Sequence, residues 1–190
     1  EPTVLKLDHV VTDKVKDISF SLRRGEILGI TGLLGAGKTE LANVLFGEDR
    51  LLSGSISIDG GVKNIRHPQD AMDAGLALVN EDRKGKGLFQ DFTIKQNISI
   101  SNLSQMMKRN VVVDRAKEKT VGAEWAEKLR VKCVSSEQVV RYLSGGNQEK
   151  VVLAKWLYRT PTVLILDEPT RGIDIGSKDE IYSMISDLSE

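Results

Sequence analysis

The sequence predicts an α/β fold with a helical subdomain inserted between the strands of its core. Segment 26–31 is apolar and predicts a buried strand, and the spacing of apolar residues over 38–46 predicts an amphipathic helix. Four consecutive apolar residues at 163–166 predict a strand buried on both faces, as in a sheet that helices cover. From 93 to about 159 the pattern is helical, which predicts the insertion.

Shorter elements precede and follow these segments. The pattern predicts an antiparallel pair of strands at 4–7 and 16–22, and a further strand at 54–61. It also predicts a short helix at 68–74 and a core strand at 76–79. Gly75 is expected to end the short helix. Asp114 is the predicted N-cap of a helix that runs to Leu129. The region before the insertion therefore combines strands and helices, as an α/β core does.

Composition favours a single domain without disulfide bonds. The chain has 190 residues, 40% of them hydrophobic, and Cys133 is its one cysteine, which fits a reducing compartment. We expect an α/β core from 1–92 and about 160–190, and a helical subdomain at about 93–159.

The 27 basic and 27 acidic residues balance, which argues against nucleic acid as a partner. No apolar stretch approaches the roughly 20 residues of a bilayer span, so we expect no direct membrane insertion.

A glycine-rich loop follows the first predicted core strand. It fits the pattern G-x-x-x-x-G-K-[ST] with Gly32, Leu33, Leu34, Gly35, Ala36, Gly37, Lys38 and Thr39. Glycines at 35 and 37 let the backbone turn its N–H groups toward an anion, and Lys38 can reach the β- and γ-phosphates of a nucleotide. The Thr39 hydroxyl is a candidate ligand for Mg²⁺. The alternative is a structural glycine turn, which the flanking strand and helix disfavour.

Two carboxylates stand at the end of the predicted strand 163–166. Asp167 is expected close to the glycine loop, where a Mg²⁺-bound water would lie, and is a candidate for the metal site. Glu168 is the better candidate for positioning or deprotonating an attacking water. The alternative is that both residues only cap a helix that Pro169 and Thr170 open.

A third motif begins the predicted helix from Gly145 to Tyr158. It consists of Leu143, Ser144, Gly145, Gly146, Asn147 and Gln148. A helix N-terminus with a serine and small residues is suited to an anion, and Ser144 is also expected to be an ordinary N-cap. Together with the glycine loop and the segment Leu-Asp-Glu-Pro-Thr, this motif resembles the signature of ABC-type ATPases, in which Gln is more usual at the position of Asn147.

The resemblance implies the P-loop NTPase fold of the ABC ATPase type, with an antiparallel β subdomain and an inserted helical signature subdomain. It implies ATP and Mg²⁺ as ligands. It also implies that Ser144, Gly145, Gly146 and Asn147 cap the γ-phosphate of ATP held by a second ATPase domain. A complete site would then need two chains, or two halves of one chain.

Further segments narrow the resemblance to the second ATPase half of bacterial monosaccharide importers of the ribose, galactose and xylose kind. These segments are Glu81-Asp82-Arg83-Lys84, Asn147-Gln148 and Thr170-Arg171-Gly172-Ile173-Asp174. The resemblance implies an ATPase that powers sugar import from the cytoplasmic face of the cell membrane. Its partners would be a second ATPase domain, transmembrane permease subunits and, indirectly, an extracytoplasmic sugar-binding protein. Asp174 would cross the interface between the ATPase domains.

The chain departs from the general family pattern at Glu81, where most members have a Gln that senses the metal and the attacking water. A carboxylate can still ligate Mg²⁺ but has no amide donor. The neighbouring Arg83, Lys84 and Lys86 are expected in a solvated loop, or in contact with a permease helix or phosphate. The resemblance also implies a further strand and a switch loop after Glu190, so we expect a fragment truncated at its C-terminus.

Two alternatives from other classes remain. The chain could be a catalytically weak, regulatory nucleotide-binding half of a tandem ATPase, which Glu81 favours and Glu168 opposes. It could also be a non-transport ABC ATPase of DNA repair or chromosome organisation. Such proteins place a long coiled coil between the glycine loop and the signature, and no sustained heptads separate Lys38 from Ser144.

Overall fold

The computed structural model describes residues 1–33, 35–108 and 111–189, so Leu34 of the glycine loop lies outside the described residues. The strands are β1 (Thr3–Val11), β2 (Ile18–Arg23), β3 (Ser53–Ile58), β4 (Gly61–Lys63), β5 (Leu76–Val79), β6 (Met107–Lys108), β7 (Val112–Val113) and β8 (Val163–Leu166). The α-helices are α1 (Lys38–Phe46), α2 (Pro68–Asp73), α3 (Ile94–Ser99), α4 (Arg115–Lys128), α5 (Gly145–Leu157) and α6 (Ile175–Asp187). A π-helical turn spans Arg83–Gly87, and 3₁₀ segments span Ile100–Met106 and Val140–Tyr142.

Backbone contacts divide the chain into two compact units. The first unit contains Glu1–Leu78, Pro161–Asp167 and the C-terminal residues from Ile185. The second unit contains Val79–Thr160 and Glu168–Met184. The predicted boundaries of the helical subdomain, 93 and 159, stay a prediction.

A four-stranded antiparallel sheet forms one part of the first unit, in the order β2-β1-β3-β4. Leu5 of β1 lies opposite Leu22 on one side and opposite Ile58 on the other, which confirms the predicted pairing of the first two strands. Apolar side chains alternate into the core along β3, at Ile56 and Ile58, whereas β1 has register shifts and buries Val4, Leu5, Leu7 and Val10 without strict alternation. Helix α1 has the predicted bounds and likewise buries one apolar face.

A second sheet in this unit pairs β5 with β8. All four residues of β5 are buried, as the sequence predicts for a core strand. The expectation that β8 is buried on both faces is wrong, because only Val163 is buried and the next three residues are half-buried. The faces of a strand are covered by the elements that pack on the sheet, so apolar composition alone does not ensure full burial.

The predicted strand at 26–31 does not form. This segment has no regular structure, and Ile27, Leu28 and Ile30 are 56%, 41% and 49% exposed. A strand exists only through hydrogen bonds to a neighbouring strand, and the described residues supply no such neighbour for this segment. The sequence pattern therefore identified an apolar segment, but not whether that segment pairs with another strand.

The second unit is built around α5, whose central residues Val151, Val152, Leu153 and Ala154 are fully buried. Helix α3 packs against both α4 and α5. The Asp114 carboxylate accepts hydrogen bonds from the backbone N–H groups of Ala116 and Lys117, at 3.1 and 3.2 Å, which confirms the predicted N-cap of α4. Because the middle of α5 is buried, the position of its N-terminal turn is fixed, and this turn carries the signature residues.

Candidate functional site

The glycine loop of the first unit ends in two residues with left-handed backbone. Gly35 has φ of 77° and Gly37 has φ of 92°, conformations that side-chain-bearing residues rarely adopt. Gly37 is the N-cap residue of α1 and has no side chain with which to cap it, so the first N–H groups of the helix are left for an anion. The Lys38 ammonium donates to the carbonyl oxygens of Gly32 and Leu33, at 3.1 and 3.4 Å. The lysine therefore lies across the loop.

Thr39 and Asp167 carry the oxygen donors of the first unit. Thr39 is half-buried in the first turn of α1, and Asp167 follows β8 directly with its side chain largely buried. A hydroxyl and a carboxylate are hard oxygen ligands, the chemistry that Mg²⁺ prefers. The donor set therefore fits a magnesium ion.

Glu168 has a strained backbone, with φ of 47°. This left-handed conformation is uncommon for a residue with a side chain and persists only where the surroundings enforce it. Its carbonyl oxygen accepts from the N–H of Arg171 at 3.0 Å, which closes a tight turn. The alternative that Asp167 and Glu168 cap a helix opened by Pro169 is wrong, because the residues after Glu168 form turns and α6 begins only at Ile175.

The signature motif stands at the N-terminus of α5 in the second unit. Ser144 occupies the N-cap position, but its hydroxyl does not cap the backbone. The hydroxyl instead accepts a hydrogen bond from Asn147 Nδ2 at 2.8 Å, and Asn147 Oδ1 accepts from the backbone N–H of Lys132 at 2.7 Å. The expectation of an ordinary serine cap is therefore wrong, because the Asn147 amide competes for the same oxygen.

Two glycines of this motif permit close packing. A Cβ on Gly145 would lie 2.8 Å from Nη2 of Arg83, and a Cβ on Gly146 would lie 2.5 Å from Ser177 of α6. Real Cβ atoms essentially never make such short contacts, so any side chain at either position would push these neighbours away. The glycines therefore set the distance of the Arg83 and Ser177 side chains from the start of α5.

Glu81 forms an ion pair with Arg171 in the second unit. Its carboxylate is thus neutralised by a guanidinium on the turn that follows Glu168. Asp174 lies further along the same segment and accepts from the N–H of Ser177 at 3.0 Å. Hydrogen bonds from Ser177 hold the pKa of the Asp174 carboxyl below its usual value. Asp174 therefore starts α6 as an ionised N-cap.

Sequence reasoning missed the role of Arg83, which it expected in a solvated loop. The side chain instead donates to the carbonyl oxygens of Arg171 and Gly172, at 2.9 and 3.5 Å. Glu149 of α5 is 2% exposed, and burial raises the pKa of its carboxyl to about 7 while the Arg83 guanidinium opposes the shift. The basic segment at 83–86 was the only signal, and it does not distinguish an engaged arginine from a solvated one.

The candidate residues divide between the two units. The glycine loop and Asp167 lie in the first unit. Glu81, Glu168, the signature residues 144–147 and Asp174 lie in the second. Each unit has a helix start that suits a phosphate group. In the first unit it is the uncapped N-terminus of α1, and in the second it is the serine and glycines at the start of α5.

Fold and motifs together define a nucleotide-binding domain of the P-loop class. The chain belongs to the ABC transporter family, whose sequence profile matches residues 15–171. The predicted class of protein, an ATPase domain of that family, is thereby confirmed.

The similar proteins agree with this assignment. The ribose import ATP-binding protein RbsA of Lactococcus lactis subsp. lactis (strain IL1403) is 47% identical over 187 residues, which are 98% of this chain and 38% of the relative. The chain thus spans less than half the length of that relative. Among solved structures, cbiO1 from Clostridium perfringens, part of the ABC transporter complex cbiONQ, superposes with a TM-score of 0.80 at 22% identity, covering 100% of this chain and 74% of the other.

A second solved structure is the dimeric, post-hydrolysis state of the ATP-binding cassette MJ0796 bound to ADP and Pi. It has a TM-score of 0.80 at 20% identity and covers 98% of this chain and 83% of the other. These structural similarities confirm the predicted fold class. Among the described helices, none combines the length and the apolar character that a membrane-spanning helix needs.

Proposed function

We propose that this chain is an ATP-binding and ATP-hydrolysing part of an importer for a monosaccharide, acting at the cytoplasmic face of a bacterial membrane. The observation that carries the proposal is the glycine loop, in which left-handed glycines and Lys38 surround the uncapped start of α1. The relatives named as ribose import ATP-binding proteins support a sugar as the transported substrate. Their greater length supports a place for this chain within a larger protein, as one half of a tandem ATPase.

In this proposal the glycine loop holds the phosphates of ATP. The Lys38 ammonium exchanges the carbonyl oxygens of Gly32 and Leu33 for phosphate oxygens, which are stronger acceptors because they are charged. The N–H groups at the start of α1 and the helix dipole add to this attraction. Thr39 and Asp167 would hold Mg²⁺, which supplies charge neutralisation for the phosphates. Glu81 is a weaker candidate for the metal, because Arg171 already neutralises its carboxylate.

Glu168 orients the attacking water in this mechanism. Its carboxylate accepts a hydrogen bond from the water and directs the oxygen in line with the bond to be broken. The φ of 47° is held by the tight turn that the Arg171 N–H closes on the Glu168 carbonyl, which fixes the backbone from which this side chain extends.

The signature of a second ATPase domain completes the site. Because the Ser144 hydroxyl accepts from Asn147, its own hydrogen remains free to donate toward the γ-phosphate of ATP on the partner. Gly145 and Gly146 allow that phosphate to approach the start of α5. The dimeric cassette among the similar structures supports such an arrangement.

Replacing Asn147 with leucine tests this arrangement, because the change removes the amide that orients Ser144. We expect ATP-dependent association of the two ATPase domains to weaken about fivefold, the effect of losing one or two neutral hydrogen bonds. The measurement is closure of the two ATPase domains within the full-length protein against ATP concentration, followed by fluorescence energy transfer between dyes attached to the two domains. Asn64→Leu, at an exposed position in the first unit, serves as the control. Unchanged association would contradict the assigned role of the Asn147 amide.

A permease is the proposed membrane partner, and Phe89 and Phe92 are its proposed contact. Their rings stack at 5.1 Å between centroids while remaining 50% and 38% exposed. The buried Asn97 side chain holds the backbone beneath them, because it accepts from Phe89 N–H at 2.9 Å and donates to the Phe89 and Phe92 carbonyls at 3.1 and 3.4 Å. Two exposed aromatic rings on a fixed backbone are typical of an anchor for a partner protein.

Changing both Phe89 and Phe92 to serine is expected to lower sugar import about tenfold or more, since each buried aromatic ring contributes about 1.5–3 kcal/mol to an interface. ATP binding should stay within about twofold, because a ring on the partner surface does not reach the nucleotide. Uptake of labelled sugar by cells and membrane recovery of the protein measure the effect. Leu103→Ser, another exposed apolar position of the second unit, is the control. Full import by the double variant would contradict this surface.

A second candidate function is a catalytically weak, regulatory half that binds ATP for a more active partner domain. The ion pair between Glu81 and Arg171 favours it, because it occupies the residue that would otherwise assist water placement. An intact Glu168 opposes it. Turnover of the Glu168→Gln variant separates the two candidates.

A further inference from the structure

Arg83 connects three segments of the second unit with a single side chain. Its guanidinium donates to the carbonyl oxygens of Arg171 and Gly172, at 2.9 and 3.5 Å. It also packs on the first signature glycine, where a Cβ would stand 2.8 Å from Nη2. Its charge also opposes the burial-driven rise in the pKa of the Glu149 carboxyl.

The backbone that carries Arg83 is itself anchored to α5. Asp82 accepts from the N–H of Gly85 at 2.9 Å and so caps the π-helical turn. At the far end of this turn, the buried Lys155 ammonium donates to the Gly87 carbonyl at 2.8 Å. Burial lowers the pKa of Lys155 to about 8, and the ammonium bond to Gly87 keeps the end of the turn on the helix. The Arg83 side chain therefore extends from a fixed base.

The turn that Arg83 holds is the one that carries Glu168. The Arg171 N–H donates to the Glu168 carbonyl at 3.0 Å, while the Arg171 carbonyl accepts from Arg83. The backbone of Glu168 has an unfavourable φ, which surrounding contacts must hold in place. A charged donor that binds two successive carbonyls is a strong contact of this kind.

We propose that Arg83 is a positioning residue that fixes the turn 168–172 against the start of the signature helix, and so directs the Glu168 side chain. Arg171 takes part from the other side, because its side chain pairs with Glu81 while its carbonyl is held by Arg83. The contacts thereby connect Glu81, the Glu168 turn and Gly145. The inference rests on the proposed function, since it assigns Arg83 to the same reaction.

The test is Arg83→Gln in the full-length protein assembled with its membrane partner. The glutamine keeps a polar side chain but cannot bridge both carbonyls. We expect kcat for ATP hydrolysis to fall about tenfold or more, with KM for ATP within about twofold, because a displaced catalytic group costs rate and not binding. Lys119→Gln, at an exposed position of α4, should leave both constants unchanged.

A double-variant comparison distinguishes positioning from general structural damage. If Arg83 acts through Glu168, Arg83→Gln should have no further effect on kcat in a Glu168→Gln background. Hydrogen exchange should also become faster at the backbone amides of 169–174 and stay unchanged in α4. Arg83→Lys, which keeps the charge and the aliphatic stem, should retain an intermediate kcat and provides a folded variant if the glutamine does not fold.

Each outcome decides the inference. An unchanged kcat in an active, folded Arg83→Gln protein would overturn it, as would an effect that remains the same in the Glu168→Gln background. If the parent protein itself shows no ATP hydrolysis that depends on Lys38, the proposed function fails instead. The two failures are therefore distinguishable.

Discussion

Replacing Lys38 with alanine is expected to raise the Kd for ATP about 100-fold or more. The ammonium can donate to oxygens of two phosphates, and charge-assisted hydrogen bonds contribute about 1.5–3 kcal/mol each. Two such bonds correspond to at least about two decades in affinity, since about 1.4 kcal/mol is tenfold. The expected effect is large because Lys38 is the cation that lies across the glycine loop.

Equilibrium titration with a fluorescent ATP analogue measures this effect on the full-length protein. The fold should be retained, because Lys38 bonds only to carbonyl oxygens of its own loop in the described contacts. Lys63→Ala, an exposed lysine of the same unit, is the matched control and should bind as the parent does. Parent-like affinity of the Lys38 variant would overturn the phosphate-binding assignment of the loop.

Replacing Glu168 with glutamine is expected to reduce the rate of ATP hydrolysis about 100- to 1,000-fold, the contribution of a general base that positions water. ATP binding should be retained, since the change is isosteric and removes no contact to the phosphates. The bound nucleotide should then remain ATP for many minutes after mixing. A residue that acts in the chemical step, and not in holding the phosphates, is expected to show this separation of binding from turnover.

Single-turnover hydrolysis of radiolabelled ATP is the measurement, on the assembled transporter. Glu124→Gln, on an exposed position of α4, is the control and should hydrolyse at the parental rate. If turnover of the Glu168 variant equals that of the parent, the catalytic assignment is wrong and the regulatory candidate is favoured. If the variant has lost ATP binding as well, Glu168 maintains the structure of its turn and is not a catalytic residue.

Local sequence patterns predicted several elements because their causes are local. The glycines of the loop, the spacing of apolar residues in α1 and the carboxylate of Asp114 act within a few residues of chain. The signature motif likewise marked the start of α5 at Gly145. These features depend on backbone conformation and helix termini, which neighbouring residues decide.

Pairing and long-range contacts were not predictable in the same way. Segment 26–31 has the composition of a strand but no strand beside it in the described chain, and β8 is less buried than its four apolar residues suggest. The Ser144 hydroxyl bonds to Asn147 instead of the backbone, because an amide reaches it from one turn ahead. None of these three outcomes is encoded in the residues concerned alone.

The sequence by itself determined the family, the glycine loop, the two carboxylates after β8 and the signature helix, since each depends on residues adjacent in the chain. Only the tertiary structure decided that Arg171 neutralises Glu81 and that Arg83 holds the turn of Glu168. The partners in these contacts are separated by more than 80 positions, and folding alone brings a guanidinium to a particular carboxylate or carbonyl. Charged residue types and motifs in the sequence identified which residues take part in the site, and tertiary packing decided which of them contact one another.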